Sequence, residues 1–199
     1  MIHKIFTKDG FISEAGADLG RVLNLGCGQT KISGAVNLDI NPKSRAEVIH
    51  DLNLFPYPFA DNTFDVIVSR SILEHLKNIP AVMDELYRIL KPGGRVIIQV
   101  PYFRSTDAFT DPTHKAFFAA HSMDYFVYGE KLFEYRYAKN AKFKLVGLWF
   151  GWPASPAGGP SLSKNPARRA LKNFINSHPD FYENYLSLIF PVKIINYEL

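Results

Sequence analysis

Two groups of residues in this chain have the types and spacing to do chemistry. The first is Gly26-Cys27-Gly28, which follows the apolar run Val22-Leu23-Asn24-Leu25, together with Asp39 at the end of the next apolar run. Glycines without a Cβ let backbone approach a ligand closely. A carboxylate at a strand end can accept bonds from both hydroxyls of a ribose. The plain alternative is that the glycines only turn the chain and Asp39 caps a loop. The second group is His75 and the segment Asp111-Pro112-Thr113-His114. An imidazole titrates near neutral pH and can act as a general base, and a carboxylate bonded to its other nitrogen fixes the tautomer. Without chemistry, Asp111-Pro112 is a turn and Glu74-His75 orients a helix start.

Residues so far apart in sequence need a scaffold that gathers them. Short β-branched runs alternate with helical patterns, the mark of a parallel sheet with crossover helices. Runs at 21–25, 35–39, 46–50, 64–69 and 94–100 read as strands buried on both faces. Ile79, Val82, Met83, Leu86 and Leu90 recur at a helical period, with Asn78 as N-cap and Pro92-Gly93-Gly94 as the stop. Residues 121–138 read as another helix, 143–152 as a long strand and 192–197 as a closing strand. Segment 151–163 is breaker-rich. Ala167, Ala170, Leu171, Phe174 and Ile175 mark an inserted helix at 164–176. The expected organisation is one domain over 1–199, with a cap from 102–140.

Composition narrows the function classes. The 199 residues are 47% hydrophobic, enough for a full core, and the single cysteine, Cys27, excludes a disulfide framework or a Cys-rich zinc site. No apolar stretch approaches the ~20 residues of a membrane span. The opening MIHKIFTKDGF lacks the apolar run of a secretory signal, so a cytoplasmic location is expected. A net charge of +4 favours an anionic ligand or substrate but is too scattered for nucleic acid. A dinucleotide fingerprint needs Gly where Lys31 stands, and an acid about 20 residues on, farther than Asp39 lies from Gly26. No Walker loop is present.

Leu23-Asn24-Leu25-Gly26-Cys27-Gly28, Asn37-Leu38-Asp39, His50-Asp51-Leu52, Phe64-Asp65-Val66-Ile67, Leu73-Glu74-His75-Leu76 and Glu85 to Gly94 follow one another in this order. Together, over residues 21–101, they resemble the class I S-adenosylmethionine-dependent methyltransferases. The resemblance implies an α/β fold: a Rossmann-like, doubly wound, mostly parallel sheet of about seven strands with a C-terminal antiparallel hairpin. It implies S-adenosylmethionine as cofactor, with Gly26, Cys27 and Gly28 lining its methionine and ribose portion. Asp39 would hold the ribose hydroxyls and Ile40 pack on adenine. Asp51 would bond the adenine amino group, flanked by Leu52, while Ser69 and Arg70 face the methionine end. An Asx-turn is the other reading of Asp51. Three features depart from the family: Asn24 replaces an acid, Thr30 replaces a third glycine, and the first crossover is short.

Methyl transfer is a displacement at the sulfonium methyl, so the protein mainly aligns the reactants, and a hydroxyl acceptor also needs a base. The expected bases are His114, oriented by Asp111, and His75. Ser69-Arg70-Ser71-Ile72 stands where enzymes acting on exocyclic base amines carry an Asn/Asp-Pro-Pro-Tyr run. The Asp-Pro-Thr-His segment resembles methyltransferases of sugar and surface-polysaccharide pathways. A small-molecule or glycan-type acceptor is therefore expected. Asp107, Asp111, His114 and His121 cluster in sequence without forming a committed ligand set, so no metal is expected. The competing readings are a non-catalytic cofactor-binding subunit and another nucleotide-using Rossmann enzyme.

Overall fold

A computed structural model describes residues 5–7, 10–12, 20–151 and 165–199, so the expected breaker-rich segment lies almost wholly outside the described residues. Strands β1 (Ile5–Thr7) and β2 (Gly10–Ile12) pair antiparallel as a separate hairpin. The main sheet has seven strands: β3 (Val22–Leu25), β4 (Val36–Asp39), β5 (Val48–Ile49), β6 (Phe64–Arg70), β7 (Leu90–Pro101), β8 (Gly147–Phe150) and β9 (Ile194–Glu198). Their order is β5-β4-β3-β6-β7-β9-β8, with β3 to β7 parallel and β9 antiparallel to both β7 and β8. The chain starts in the middle at β3, runs outward to β5, then returns to β6. The strand order thus reverses between β3 and β6, where a doubly wound sheet opens a crevice beyond its carboxyl ends.

Helix α1 (Ile79–Ile89) buries Val82, Met83, Leu86 and Ile89 in one cluster with Leu23, Leu25, Ile67 and Ile98 of the sheet. Asn78 caps it by accepting the Ala81 N–H at 3.1 Å. The helix leads directly into β7, which begins at Leu90 rather than at the expected Gly94. Leu90 pairs with Phe64 and Arg95 with Val66, so residues 91–94 bulge opposite Asp65. A Cβ on Gly94 would stand 2.9 Å from the Asp65 carbonyl oxygen, so only glycine lets the chain rejoin the ladder there.

Other expectations shift for local reasons. Residues 121–138 form 3₁₀ turns at Asp124–Phe126 and Lys131–Tyr135, not an α-helix. Gly129 at φ 92° and Arg136 at φ 55° interrupt any helical path. The strand expected over 143–152 is confined to Gly147–Phe150 in the sheet, while Phe143 bridges to Val127 instead. The closing strand begins at Ile194, because the Val192 N–H bonds the Tyr182 hydroxyl at 3.1 Å. Helix α2 (Asp107–Thr110) is a single turn, and α3 (Pro166–Ser177) lies where the inserted helix is expected.

The first crossover has no helix. Parallel neighbours usually need a dozen or more residues between them, yet residues 26–35 suffice here because two side-chain amides close the gap. Asn24 and Asn37 are directly opposite in the β3–β4 register. Asn24 Nδ2 donates to Asn37 Oδ1 at 2.9 Å and to the Thr30 carbonyl at 3.0 Å. Asn37 Oδ1 also accepts the Ile32 N–H at 2.9 Å, and its Nδ2 donates to the Ile32 and Ala35 carbonyls at 3.2 and 3.1 Å. A carboxylate at position 24 has no proton to donate, which accounts for Asn24 where the resembled family carries an acid. Asn37→Ala strands these buried donors and acceptors and is expected to cost about 2–3 kcal/mol in urea denaturation; an unchanged midpoint would show that the pair does not hold the loop.

Candidate functional site

The carboxyl ends of β3, β4, β5 and β6 carry all of the expected cofactor residues. Gly26 lies at φ 59°, and a Cβ there would meet Ile72 Cγ1 at 2.5 Å, so the turn packs closely on the segment leaving β6. Gly28, at φ 50°, has open space where its Cβ would be. Its N–H donates to Asp39 Oδ2 at 2.7 Å, and the Asn41 N–H donates to Oδ1 at 2.8 Å. The nearly buried Asp39 carboxylate is thus aimed at the glycine turn by two backbone donors, with lone pairs to spare. Between the glycines, Cys27 is buried, and burial together with the Asp39 charge pushes its thiol pKa up, so it stays protonated.

Ile40 is exposed beside Asp39, and Leu52 is buried beside Asp51. Asp51 Oδ1 accepts the Asn53 N–H and side-chain amide, both at 2.9 Å, which forms the Asx-turn and lowers the Asp51 pKa. Ser69, opposite Leu25 in the β3–β6 register, is fully buried, and its Oγ has no hydrogen-bond partner among the described residues. Arg70 follows it, and burial depresses its pKa.

The second group converges just beyond β6. Residues Leu73–His75 form a 3₁₀ turn, and the Lys115 and Ala116 N–H groups donate to the Glu74 carbonyl at 2.7 and 3.2 Å. That clamp draws the loop after β7 onto the turn, bringing the His75 and His114 rings to 4.7 Å, edge to face. Glu74 is 1% exposed, neither carboxylate oxygen has a partner among the described residues, and burial pushes its pKa up to about 7.

The hydrogen bonds assign the tautomers. Thr113 Oγ1 donates to Asp111 Oδ1 at 2.7 Å, so toward His75 it accepts, from Nδ1–H at 2.9 Å. His114 Nδ1 lies 2.8 Å from the Ala108 carbonyl, which can only accept. Both Nε2 atoms are therefore left with lone pairs. Burial and the neighbouring His114 lower the His75 pKa. The expected bond from Asp111 to His114 does not form: the Asp111 carboxylate is taken by the Thr113 N–H and hydroxyl, and it reaches His75 through that hydroxyl. Glu74 escaped the sequence reading as a functional residue. Its only signal is an acid set between Leu73 and Leu76, both of which turn out to be buried.

Residues 23–98 match a family described as "Methyltransferase domain". That stretch, less than half of the chain, is similar to methyltransferase domains. Its fold is similar to that of an S-adenosylmethionine-dependent methyltransferase from Archaeoglobus fulgidus, at 17% identity and a TM-score of 0.58 over 91% of this chain and 86% of that one. By sequence, the domain is similar to demethylmenaquinone methyltransferase of Symbiobacterium thermophilum, 44% identical over 23% of this chain and 18% of that protein. It is also similar to phosphoethanolamine N-methyltransferase 3 of Arabidopsis thaliana, 43% identical over 37% of this chain and 15% of that protein. The chain thus spans well under half the length of these curated relatives. No helix among the described residues is long and apolar enough to cross a membrane.

Outside the site, the acids and histidines that cluster in sequence are dispersed. Asp107 lies 3.4 Å from Lys193, and His121 bridges Asp124 at 2.6 Å and Asp180 at 2.8 Å. Partial burial of His121 works against its charge, but the two carboxylates outweigh it and raise its pKa. The protonated form therefore favours folding. That contribution is complete below the unfolded pKa of about 6.5 and disappears as pH rises through the higher folded value. Urea denaturation between about pH 6 and pH 8.5 is expected to show wild type losing stability relative to His121→Gln as pH rises. Parallel profiles would contradict this ion-pair account.

Proposed function

We propose that this chain transfers a methyl group from S-adenosylmethionine to a small-molecule or glycan-type acceptor lying over the carboxyl ends of β6 and β7. The observation that carries the reading is the Asp39 carboxylate held against the open Gly26–Gly28 turn at the point where the strand order reverses. When bound, S-adenosylmethionine supplies an electrophilic methyl on a good leaving group. The pocket suits it on two counts: Gly28 has open space at its Cβ position, and the Ser69 hydroxyl is buried and unpartnered among the described residues. Asp39 would receive the ribose hydroxyls, Ile40 and Leu52 would flank adenine, and the free oxygen of Asp51 would meet its amino group. Ser69 and Arg70 would face the methionine end.

Acceptor chemistry falls to the turn after β6 and the loop after β7. His75 and His114 offer Nε2 lone pairs there, and Asp111 positions His75 through Thr113. The net charge of +4 agrees with an anionic acceptor. Both small-molecule relatives act on compounds rather than polymers by their printed names, which supports the small-molecule half of the reading.

Calorimetry is expected to show binding of S-adenosylmethionine and S-adenosylhomocysteine, and none of NAD. Asp39→Ala should weaken cofactor binding by about 1.5–3 kcal/mol, the worth of hydrogen bonds to a charged group, with the circular dichroism spectrum retained. Tighter binding of NAD, or an unaltered affinity in the folded variant, would overturn the assignment. His114→Ala should lower turnover by roughly 10²-fold or more with little change in cofactor affinity, measured as S-adenosylhomocysteine release across an acceptor screen; wild-type turnover would make the loop purely structural.

A further inference from the structure

Among the described residues, Glu74 is the carboxyl that the hydrogen-bond network leaves buried without a partner, beside the neutral groups of Ser69, Tyr102 and Trp149. It is 1% exposed, and both its carboxylate oxygens lack partners among the described residues. Burying an unpaired carboxyl is costly, and native proteins rarely tolerate it without a compensating partner. Its neighbours suggest what that partner is. One ligand atom each from Glu74, His75 and His114 lie within 4.8 Å of one another. Each imidazole gives its Nδ1–H to an oxygen: the Ala108 carbonyl for His114, and for His75 the Thr113 hydroxyl, itself bonded to Asp111. Metal-bound histidines have this outer arrangement, which fixes the ring and turns Nε2 inward. The Lys115 ammonium, the cationic side chain beside the cluster, bonds the His75 carbonyl at 2.9 Å and does not neutralise Glu74.

We propose that Glu74, His75 and His114 bind a divalent first-row cation of the Mn²⁺, Co²⁺ or Zn²⁺ type through one carboxylate oxygen and two Nε2 atoms. Two imidazoles and one carboxylate favour such ions over Mg²⁺ or Ca²⁺, which prefer all-oxygen sites. Ligand atoms about 2.1 Å from an ion stand about 3–3.5 Å apart, so groups separated by as much as 4.8 Å close by up to about 1.5 Å on loading. Three protein ligands leave coordination positions free for an acceptor. Ile72, two residues before Glu74, packs against Gly26, so the cation site lies on the same segment as the wall of the cofactor turn.

The cation's role rests on the methyltransferase reading, and it takes the place of a histidine base, since both Nε2 lone pairs are then committed to the cation. An acceptor hydroxyl coordinated through its oxygen has a lowered pKa and releases its proton to solvent. The oxygen lone pair then forms the new C–O bond to the methyl carbon as the S–C bond breaks and its electron pair passes to sulfur. The products are the methyl ether and S-adenosylhomocysteine.

The test titrates the chelator-treated full chain with MnCl₂, CoCl₂ and ZnCl₂, and titrates the same samples with S-adenosylhomocysteine. One equivalent of cation should bind, and Co²⁺ should give visible absorption bands of a mixed nitrogen–oxygen site. Glu74→Gln and His114→Ala should each weaken binding by roughly tenfold or more, and Thr113→Val by less, through loss of the His75 orientation. His121→Gln should bind the cation as wild type does. S-adenosylhomocysteine affinity should persist in every variant, which also reports that each is folded. Cation affinity unchanged by both Glu74→Gln and His114→Ala, or absent in wild type, overturns the site. Cation binding without S-adenosylhomocysteine binding leaves the site standing and overturns the methyltransferase reading instead.

Discussion

The paired amides of Asn24 and Asn37 are the constraint on which the rest of the structure depends. They face each other across β3 and β4, bond each other at 2.9 Å, and hold the backbone of residues 30–35 through four hydrogen bonds of 2.9–3.2 Å. Without a crossover helix, these side-chain amides supplement the backbone bonds of the loop and of the β3–β4 ladder, such as Cys27 N–H to the Leu38 carbonyl at 3.0 Å, in setting how β4 lies against β3. That register decides the site. It brings Asp39, at the end of β4, opposite the glycine turn at the end of β3, so that the Gly28 N–H meets the Asp39 carboxylate. Buried polar groups of this kind are an all-or-nothing arrangement: satisfied they specify one geometry, half-satisfied they are worse than apolar residues.

A second constraint organises the loop after β7. The Glu74 carbonyl takes two N–H groups from the loop after β7, tying that loop to the turn after β6. The clamp sets two imidazoles and a buried carboxylate side by side, each imidazole held from behind by an oxygen. The two halves of the site meet at Ile72, which packs on Gly26 and precedes Glu74 by two residues. The glycine turn and the Glu74–His75–His114 cluster therefore adjoin through the segment that leaves β6.

The central sheet was legible because its inner parallel strands are mostly apolar, as strands covered on both faces must be, whereas the edge strand β5 leaves Ile49 exposed. The glycine turn and Asp39 were legible as a local pattern, since glycines and acids at strand ends stand out in sequence, and they do meet in the structure. What was hidden is tertiary. The aromatic-rich stretch 121–138 has helix-like spacing, but its chain path is broken by Gly129 and Arg136, and Arg136 at positive φ cannot be anticipated from its type. Asp111 and His114 are close in sequence, which invited a direct bond, but Thr113 intercepts the carboxylate and His114 turns back to α2. Glu74 reads as an ordinary turn acid, since nothing local announces that both its oxygens are buried.

A crystal structure with S-adenosylhomocysteine tests most directly whether Asp39 and the glycine turn form a nucleoside site. Both ribose hydroxyls should lie within hydrogen-bond distance of the Asp39 carboxylate, with the homocysteine portion along Gly26–Gly28 and its sulfur toward the turn that carries Glu74 and His75. A ligand bound elsewhere, or one whose ribose leaves Asp39 bonded only to Gly28 and Asn41, would contradict it.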